Sequence, residues 1–255
     1  MHRHQPTRAT KILHVAYMPP SAGFVLPIIT RVQQSTNPAV AMRMRDWTAG
    51  PLRELGLSLS TKLAILAPVS TRLMQTRLRL LQAIPSGAEL AEHLAGGVGW
   101  MPSQKLLPFE VLLDIEAFLF EFRSAYEIVV KFLKSFFRDI VGREVTKDEI
   151  FEYLGTKGVP IEWVEDLRLH RNIFAHDAPP WIAVAIDHPD QDGRELLILT
   201  HPDSDPTSPA DCLPFSRLLA IYGGMNSALL AIHDWALREV TALESSMPSP
   251  SSPAA

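Results

Sequence analysis

The sequence predicts a mainly α-helical protein with a small β-hairpin inserted before its last helix. Two observations carry this reading. Over 108–141, Phe109, Leu112, Ile115, Leu119, Phe122, Tyr126, Val129, Leu133, Phe136 and Ile140 recur at steps of three and four, the spacing that gathers side chains on one face of a helix. Over 181–200, two short apolar runs, Trp181–Ile186 and Glu195–Thr200, flank Pro189-Asp190-Gln191-Asp192-Gly193. That link is rich in residues that favour turns, so the pair reads as two joined strands.

The remaining elements follow in chain order. Residues 1–50 are rich in Pro, Thr and Ser and give no firm element. Leu63, Leu66, Leu73, Leu80, Leu81 and Ile84 outline a helix over 61–84, with Pro68 interrupting it or starting a new segment. Ser86-Gly87-Ala88-Glu89 has capping-box spacing and opens a short helix that stops at Gly96-Gly97. In the long helix, Phe118, Val130, Phe132 and Phe137 widen the apolar stripe, so it is expected to touch several partners. Thr146-Lys147-Asp148-Glu149 is a second capping box, ahead of a short helix ending at Gly155. Pro160 suits the first turn of a helix reaching about His176, and Pro179-Pro180 forbid its continuation. Leu218, Ile221, Tyr222, Met225, Leu229, Ile232, Trp235 and Val240 mark a closing helix over 214–243. Gly223-Gly224 inside it is unfavourable by about 1 kcal/mol per Gly relative to Ala, which points to close approach of another backbone. The organisation expected is a poorly structured basic leader over 1–59, a helical domain over 60–243, and a disordered Ser/Pro tail over 244–255. Residues 1–41 show little periodicity, which makes Met42 or Met44 an alternative start.

With 47% hydrophobic residues among 255, a sizeable core is easily built. The single cysteine, Cys212, excludes an intrachain disulfide and a cysteine-based metal site, and fits a reducing, cytoplasmic setting. No run of 18 apolar residues occurs, so no transmembrane helix and no membrane partner are expected. Ile12–Ile29 comes nearest to a signal peptide but is broken by Pro19-Pro20 and Pro27. The net charge of −4 is unevenly spread: residues 1–85 hold 11 of the 24 Lys and Arg and only two acids, Asp46 and Glu54. A basic segment joined to an acidic body either contacts phosphates or docks on its own body. Arg72, Arg77 and Arg79 are the candidate nucleic-acid contacts, because one helix can present them together.

The chemistry-bearing stretch is Arg171-Asn172-Ile173-Phe174-Ala175-His176. Arg171 lies seven residues after Val164 and so points toward packed neighbours, where its charge needs a carboxylate, helix carbonyls or a phosphate. His176 lies five positions on, at the helix end, where the dipole favours imidazolium by about 0.3–1 kcal/mol at exposed sites. A histidine moves protons near neutral pH, and an arginine holds phosphate and offsets developing charge. The bland alternative is that both residues only cap the last carbonyls of the helix. His170 reads as an ordinary polar neighbour.

The segment Trp163–His176 resembles the signature helix of the HEPN superfamily, helical domains marked by Arg, four to six residues, then His, often with Asn after the Arg; Arg171, Asn172 and His176 match that pattern. The long helices before and after it fit the same plan. The resemblance implies a HEPN-like helical bundle acting as a metal-independent endoribonuclease that needs no cofactor. The 2′-OH of RNA would attack the adjacent phosphorus and leave a 2′,3′-cyclic phosphate. His176 would act as acid or base, Arg171 would bind the phosphorane, and Asn172 would orient groups. One histidine per chain is thin equipment for two proton transfers, so the resemblance also implies a homodimer that brings two motifs together. A toxin or stress effector would add an antitoxin as partner. The alternative within the family is a non-catalytic binding or assembly module, and a third reading makes the motif accidental.

Other constellations are weaker. Asp190-Gln191-Asp192-Gly193 lacks the ligand spacing and closing Glu of a calcium loop. His188, His201, Asp203 and Asp205 read as solvated loop residues rather than metal ligands, and no metal site is expected. No Walker A, dinucleotide fingerprint or His-Glu-x-x-His string occurs, and Gly96-Gly97-Val98-Gly99 reads as a loop.

Overall fold

The computed structural model describes residues 22–43, 51–95, 106–176, 181–188, 193–200, 205, 208 and 211–246. In chain order the elements are α1 (Ala22–Gln33), α2 (Pro38–Arg43), α3 (Pro51–Ala83), α4 (Ala88–His93), α5 (Leu107–Phe136), α6 (Lys147–Thr156), α7 (Glu162–His176), β1 (Trp181–His188), β2 (Gly193–Leu199), β3 (Cys212–Pro214) and α8 (Phe215–Ser246). A π-helical segment, Phe137–Val141, continues α5 and ends at Gly142, whose φ of 89° is left-handed. The protein is mainly helical, with a small antiparallel sheet before the last helix.

The two longest helices that meet, α3 and α5, explain why the bundle forms. Leu52, Leu59, Leu66, Leu73 and Leu80 are all buried and stand seven residues apart. On α5, Val111, Ile115, Phe118, Phe122, Ala125, Val129, Phe132 and Phe136 are buried and alternate steps of four and three. That is the seam pattern of helices packed side chain into hole. The pair is antiparallel, since Arg79 meets Glu110 while Lys62 meets Glu121. The seam also answers the question at Pro68: α3 runs through it without a break. Pro68 is exposed, so its ring faces away from α5, and the leucines on either side offset its cost of about 3 kcal/mol.

The stretch expected to be poorly structured, 1–59, departs from that reading wherever it is described. It holds α1, α2 and the start of α3. Phe24, Val25, Ile28, Ile29 and Val32 are buried on α1, which packs on α8, and Arg31 pairs with Glu244 near the end of α8. The apolar stripe outweighs Pro27 and the Ser/Thr content around it. Asn37 Oδ1 accepts from Ala39 N at 2.9 Å, capping α2 ahead of Pro38 at its first position. Arg43 Nη1 donates to Ile140 O at 2.6 Å and so tends a carbonyl of the π-helical segment. Residues 247–255 of the expected tail lie outside the described residues, while 244–246 complete α8.

The two capping boxes part company. Thr146 and Glu149 form the reciprocal pair, Glu149 N to Thr146 Oγ1 at 3.2 Å and Thr146 N to Glu149 Oε2 at 2.7 Å. Ser86 does not cap α4; Gly87 takes that position with φ of 65° and no side-chain bond.

The sheet has the order β1-β2-β3, all antiparallel, with Ile182 opposite Ile198 and Val184 opposite Leu196. The expected hairpin is joined by a third strand, β3, with Leu213 opposite Ile198. The link over 189–192 lies outside the described residues. Arg194 fastens β2 to the end of α3, donating to Leu81 O and Pro85 O, each at 3.1 Å. Glu195 is 1% exposed, and its Oε1 accepts from Ser216 N in the first turn of α8 at 3.0 Å. There a carboxylate meets the positive end of the helix dipole.

By length and composition α8 is apolar enough to cross a membrane. In the structure it forms one wall of the core, with Leu218, Ile221, Met225, Ile232, Trp235 and Val240 buried. The glycine pair within it divides into two cases. A Cβ at Gly224 would stand 2.3 Å from Trp163 Cδ1, whereas at Gly223 it would meet nothing within 4 Å. The close approach expected there is made by an indole of α7, not by another backbone.

Candidate functional site

Helix α7 carries the motif across the middle of α5. Val164 is buried on the flank of α7, and the central buried line is Trp163, Leu167 and His170, with Phe174 half-buried. These residues follow each other at steps of four, three and four. Arg171 stands about 80° round from that line on a helix of 3.6 residues per turn, so it lies at the margin and not at the centre of the buried face. It stands nearly in line with Val164, which is buried, and faces packed neighbours as the seven-residue spacing implies.

That marginal position brings Arg171 over α5. Its guanidinium carbon lies 4.8 Å from the centroid of the Phe120 ring, a cation–π contact. Beside them opens a cleft of about 270 Å³ lined by Phe120, Arg123, Ser124, Glu127, Arg168, Arg171 and Asn172. On α5 the lining residues recur at three- and four-residue steps, which puts Arg123, Ser124 and Glu127 on one face with Phe120. Two of the three arginines pair along their own helices: Arg123 Nε with Glu127 Oε1 at 2.8 Å, and Arg168 with both oxygens of Glu165 at 2.9 and 2.5 Å. The Arg168 guanidinium holds the Glu165 carboxyl below its ordinary range. Exposed pairs of this kind contribute little to stability and exchange readily for another anion. Arg171 forms no hydrogen bond or ion pair with any of the described residues. The lining therefore carries three positive charges and one negative, with one guanidinium resting on an aromatic face. Such a surface suits a phosphate, which takes paired N–H donors from guanidinium groups.

Arg171 and Asn172 are thus brought together, and His176 closes the same helix, though its side chain lies outside the described residues, as do 177–180. Arg123 and Arg168 were not singled out from the sequence. The available signals were a basic residue one turn before Arg171 and the Phe120, Arg123, Glu127 spacing within the long helix.

The three arginines proposed from the sequence for nucleic acid are not presented together. Arg72 Nε meets Asp114 Oδ1 at 2.6 Å, and the same buried carboxylate accepts from Thr76 Oγ1 at 2.6 Å. Arg79 Nη2 meets Glu110 Oε2 at 2.9 Å. Arg77 turns to another side, its guanidinium 4.8 Å from the Phe215 ring centroid. Burial there lowers its pKa, and Glu195 opposes that shift. The arginines of α3 therefore dock on the acidic body, one of the two uses the charge asymmetry had offered.

His170, read from the sequence as an ordinary polar neighbour, is only 8% exposed, and its Nδ1 is buried with no hydrogen-bond partner among the described residues. Burial lowers its pKa; Asp166 works against this and Arg217 adds to it. Arg217 Nη1 reaches Asp166 Oδ2 at 3.4 Å, so this ion pair ties α7 to α8 next to the imidazole. Beneath the cleft, Tyr126 packs edge-on to Trp163 at 5.7 Å, and burial pushes its phenol up to about 12. Neither ring places an ionising group at the cleft. Among the described residues no cluster of three or more His, Cys, Asp or Glu side chains gathers. Of the loop groups weighed as ligands, His201, Asp203 and the His188 side chain lie outside those residues.

No protein-family model matches this chain, and no match was found among curated proteins or among solved structures.

Proposed function

We propose that this protein is an RNA-cleaving enzyme of HEPN type, working without a metal, whose phosphate-binding surface is the cleft between α5 and α7. The observation that carries the reading is that Arg171 and Asn172 line one cleft with Arg123 and Arg168, one helical turn and a half before His176. In this scheme Arg171 grips the scissile phosphate and stabilises the phosphorane. Arg123 and Arg168 hold flanking phosphates, releasing Glu127 and Glu165 as they do so. Asn172 orients the phosphate or the attacking 2′-oxygen through its amide. The 2′-OH gives its proton to water as its oxygen bonds to phosphorus, the bond to the 5′-oxygen breaks, and protonated His176 delivers the proton that the leaving oxygen takes. Products are a 2′,3′-cyclic phosphate and a 5′-hydroxyl. DNA, lacking the 2′-OH, is not a substrate.

The test is incubation of the purified chain with RNA in EDTA, with His176→Ala and Arg171→Ala alongside. Cleavage that persists in EDTA, yields cyclic phosphate and is lost in both variants supports the proposal. Cleavage that vanishes in EDTA or survives His176→Ala overturns it. A second reading rests on the cleft itself: three arginines and an aromatic ring bind RNA without any proton transfer. Binding that depends on Arg171, with no cleavage under any condition, selects that non-catalytic module.

A further inference from the structure

Among the described residues β1 is the longer of the two outer strands of the sheet. Among the described residues β1 has a single strand neighbour, β2, and β2 lies between β1 and β3. Alternate residues of a strand aim their N–H and C=O groups at opposite edges, so about half of those on β1 face away from β2. Natural edge strands are commonly guarded by charge, proline or a bulge. Trp181–Ile186 has no charged residue and no proline. Its pairing with β2 is regular throughout, and the only irregularity falls beyond it, between Ile186 and His188. Trp181 is 46% exposed, and residues 182–186 are half-buried.

The order of residues on this edge says what fits it. Ile182-Ala183-Val184-Ala185-Ile186 reads the same in both directions about Val184. We propose that two copies of this chain pair antiparallel through their β1 edges, with a two-fold axis at Val184, to make one six-stranded sheet. In that register Ile182 lies opposite Ile186 of the second copy, Ala183 opposite Ala185, and Val184 opposite itself. Cross-strand pairs of β-branched residues favour such a sheet, and no charge is brought against a like charge within it. A two-fold contact requires a surface complementary to itself, and a palindromic strand satisfies this residue by residue. The absence of charge on the edge disfavours RNA as its occupant.

The proposal does not depend on the one for the α5–α7 cleft. Antiparallel pairing about Val184 sets the two Trp181 residues about 20 Å apart along the strand.

The test uses the full chain with Cys212→Ser as background. Its solution mass at micromolar concentration is expected to be twice 28.4 kDa. Val184→Cys is then oxidised mildly and compared with Ile182→Cys. Only a residue on the axis meets its own copy, so Val184→Cys is expected to cross-link nearly fully, and Ile182→Cys only when combined with Ile186→Cys. Mass measured under reducing conditions checks that the variants still assemble. A mass of 28.4 kDa for the unmodified chain overturns the proposal. So does a dimer in which Ile182→Cys cross-links as well as Val184→Cys, because the contact then lies elsewhere or in another register.

Discussion

The α3–α5 seam and the α5–α7 cleft both set arginines against the same long helix, yet they use them differently. At the seam, Arg72 and Arg79 meet Asp114 and Glu110 on the neighbouring helix, and Asp114 is buried with a second donor, Thr76. At the cleft, Arg123 and Arg168 pair only along their own helices, and Arg171 rests on Phe120. An arginine whose carboxylate partner sits on another element holds the fold together. One whose partner sits one turn away on its own helix remains available to a ligand.

Arg171→Ala provides the sharpest test of this contrast. Loss of one electrostatic stabiliser typically lowers a rate on the order of 10²–10³-fold. We expect that loss in RNA cleavage, with the melting temperature little changed. Arg79→Ala is expected to leave cleavage near the starting rate. Equal losses in the two variants would erase the distinction.

Asp114→Ala probes the seam. It removes the buried carboxylate that accepts from Thr76 and pairs with Arg72, while the Thr76 hydroxyl keeps the Arg72 carbonyl, so unfolding free energy is expected to fall by about 1.5–3 kcal/mol, the worth of a hydrogen bond to a charged group. Chemical denaturation would show this as a lower midpoint. An unchanged midpoint would mean that the seam rests on its leucines alone. Gly224→Ala tests the neighbouring α7–α8 contact, where the added carbon collides with Trp163. Overpacking of this kind costs about 1–3 kcal/mol. Gly223→Ala, in open space, should instead stabilise by up to about 1 kcal/mol through helix propensity.

A smaller effect is expected in the salt dependence of RNA binding. Each phosphate neutralised contributes about −0.7 to the log–log slope for single strands. Arg123→Gln with Arg168→Gln should therefore flatten the slope by about 1.4. The triple change Arg72→Gln, Arg77→Gln, Arg79→Gln should leave it unaltered and lower the melting temperature instead. A flattened slope in the triple variant would return the nucleic-acid contacts to α3.

The smallest expected effect is a pH dependence at His170. Its folded-state pKa is lowered from 6.5, chiefly by burial, so the folded protein binds that proton less readily than the unfolded chain does. Stability from this residue is full above about pH 6.5 and declines as pH falls toward the lowered value. Melting temperatures measured from pH 7.5 down to 5 should show that decline, and His170→Gln should reduce it.

The sequence by itself determined the helices, because a helical stripe is a local property that spacing records directly. The seam of α5, the reciprocal Thr146–Glu149 cap, the helix carrying Arg171 and the two longer strands could all be read this way. The same locality explains the misreadings. Ser86 and Glu89 have the spacing of a cap, but Gly87 takes the turn. The stripe of α1 was obscured by Pro27 and by the Ser/Thr content around it, and its worth depends on α8, some two hundred residues away. Which arginines are free was decided only by tertiary structure. Arg72 and Arg171 are chemically identical, and nothing in their neighbouring residues says that one will find a buried carboxylate and the other a phenylalanine ring. The same holds for Gly224 and His170, whose meaning comes from an indole on another helix and from the loss of water around an imidazole. Coulomb and packing energies depend on distances between elements, and those distances exist only once the bundle has closed.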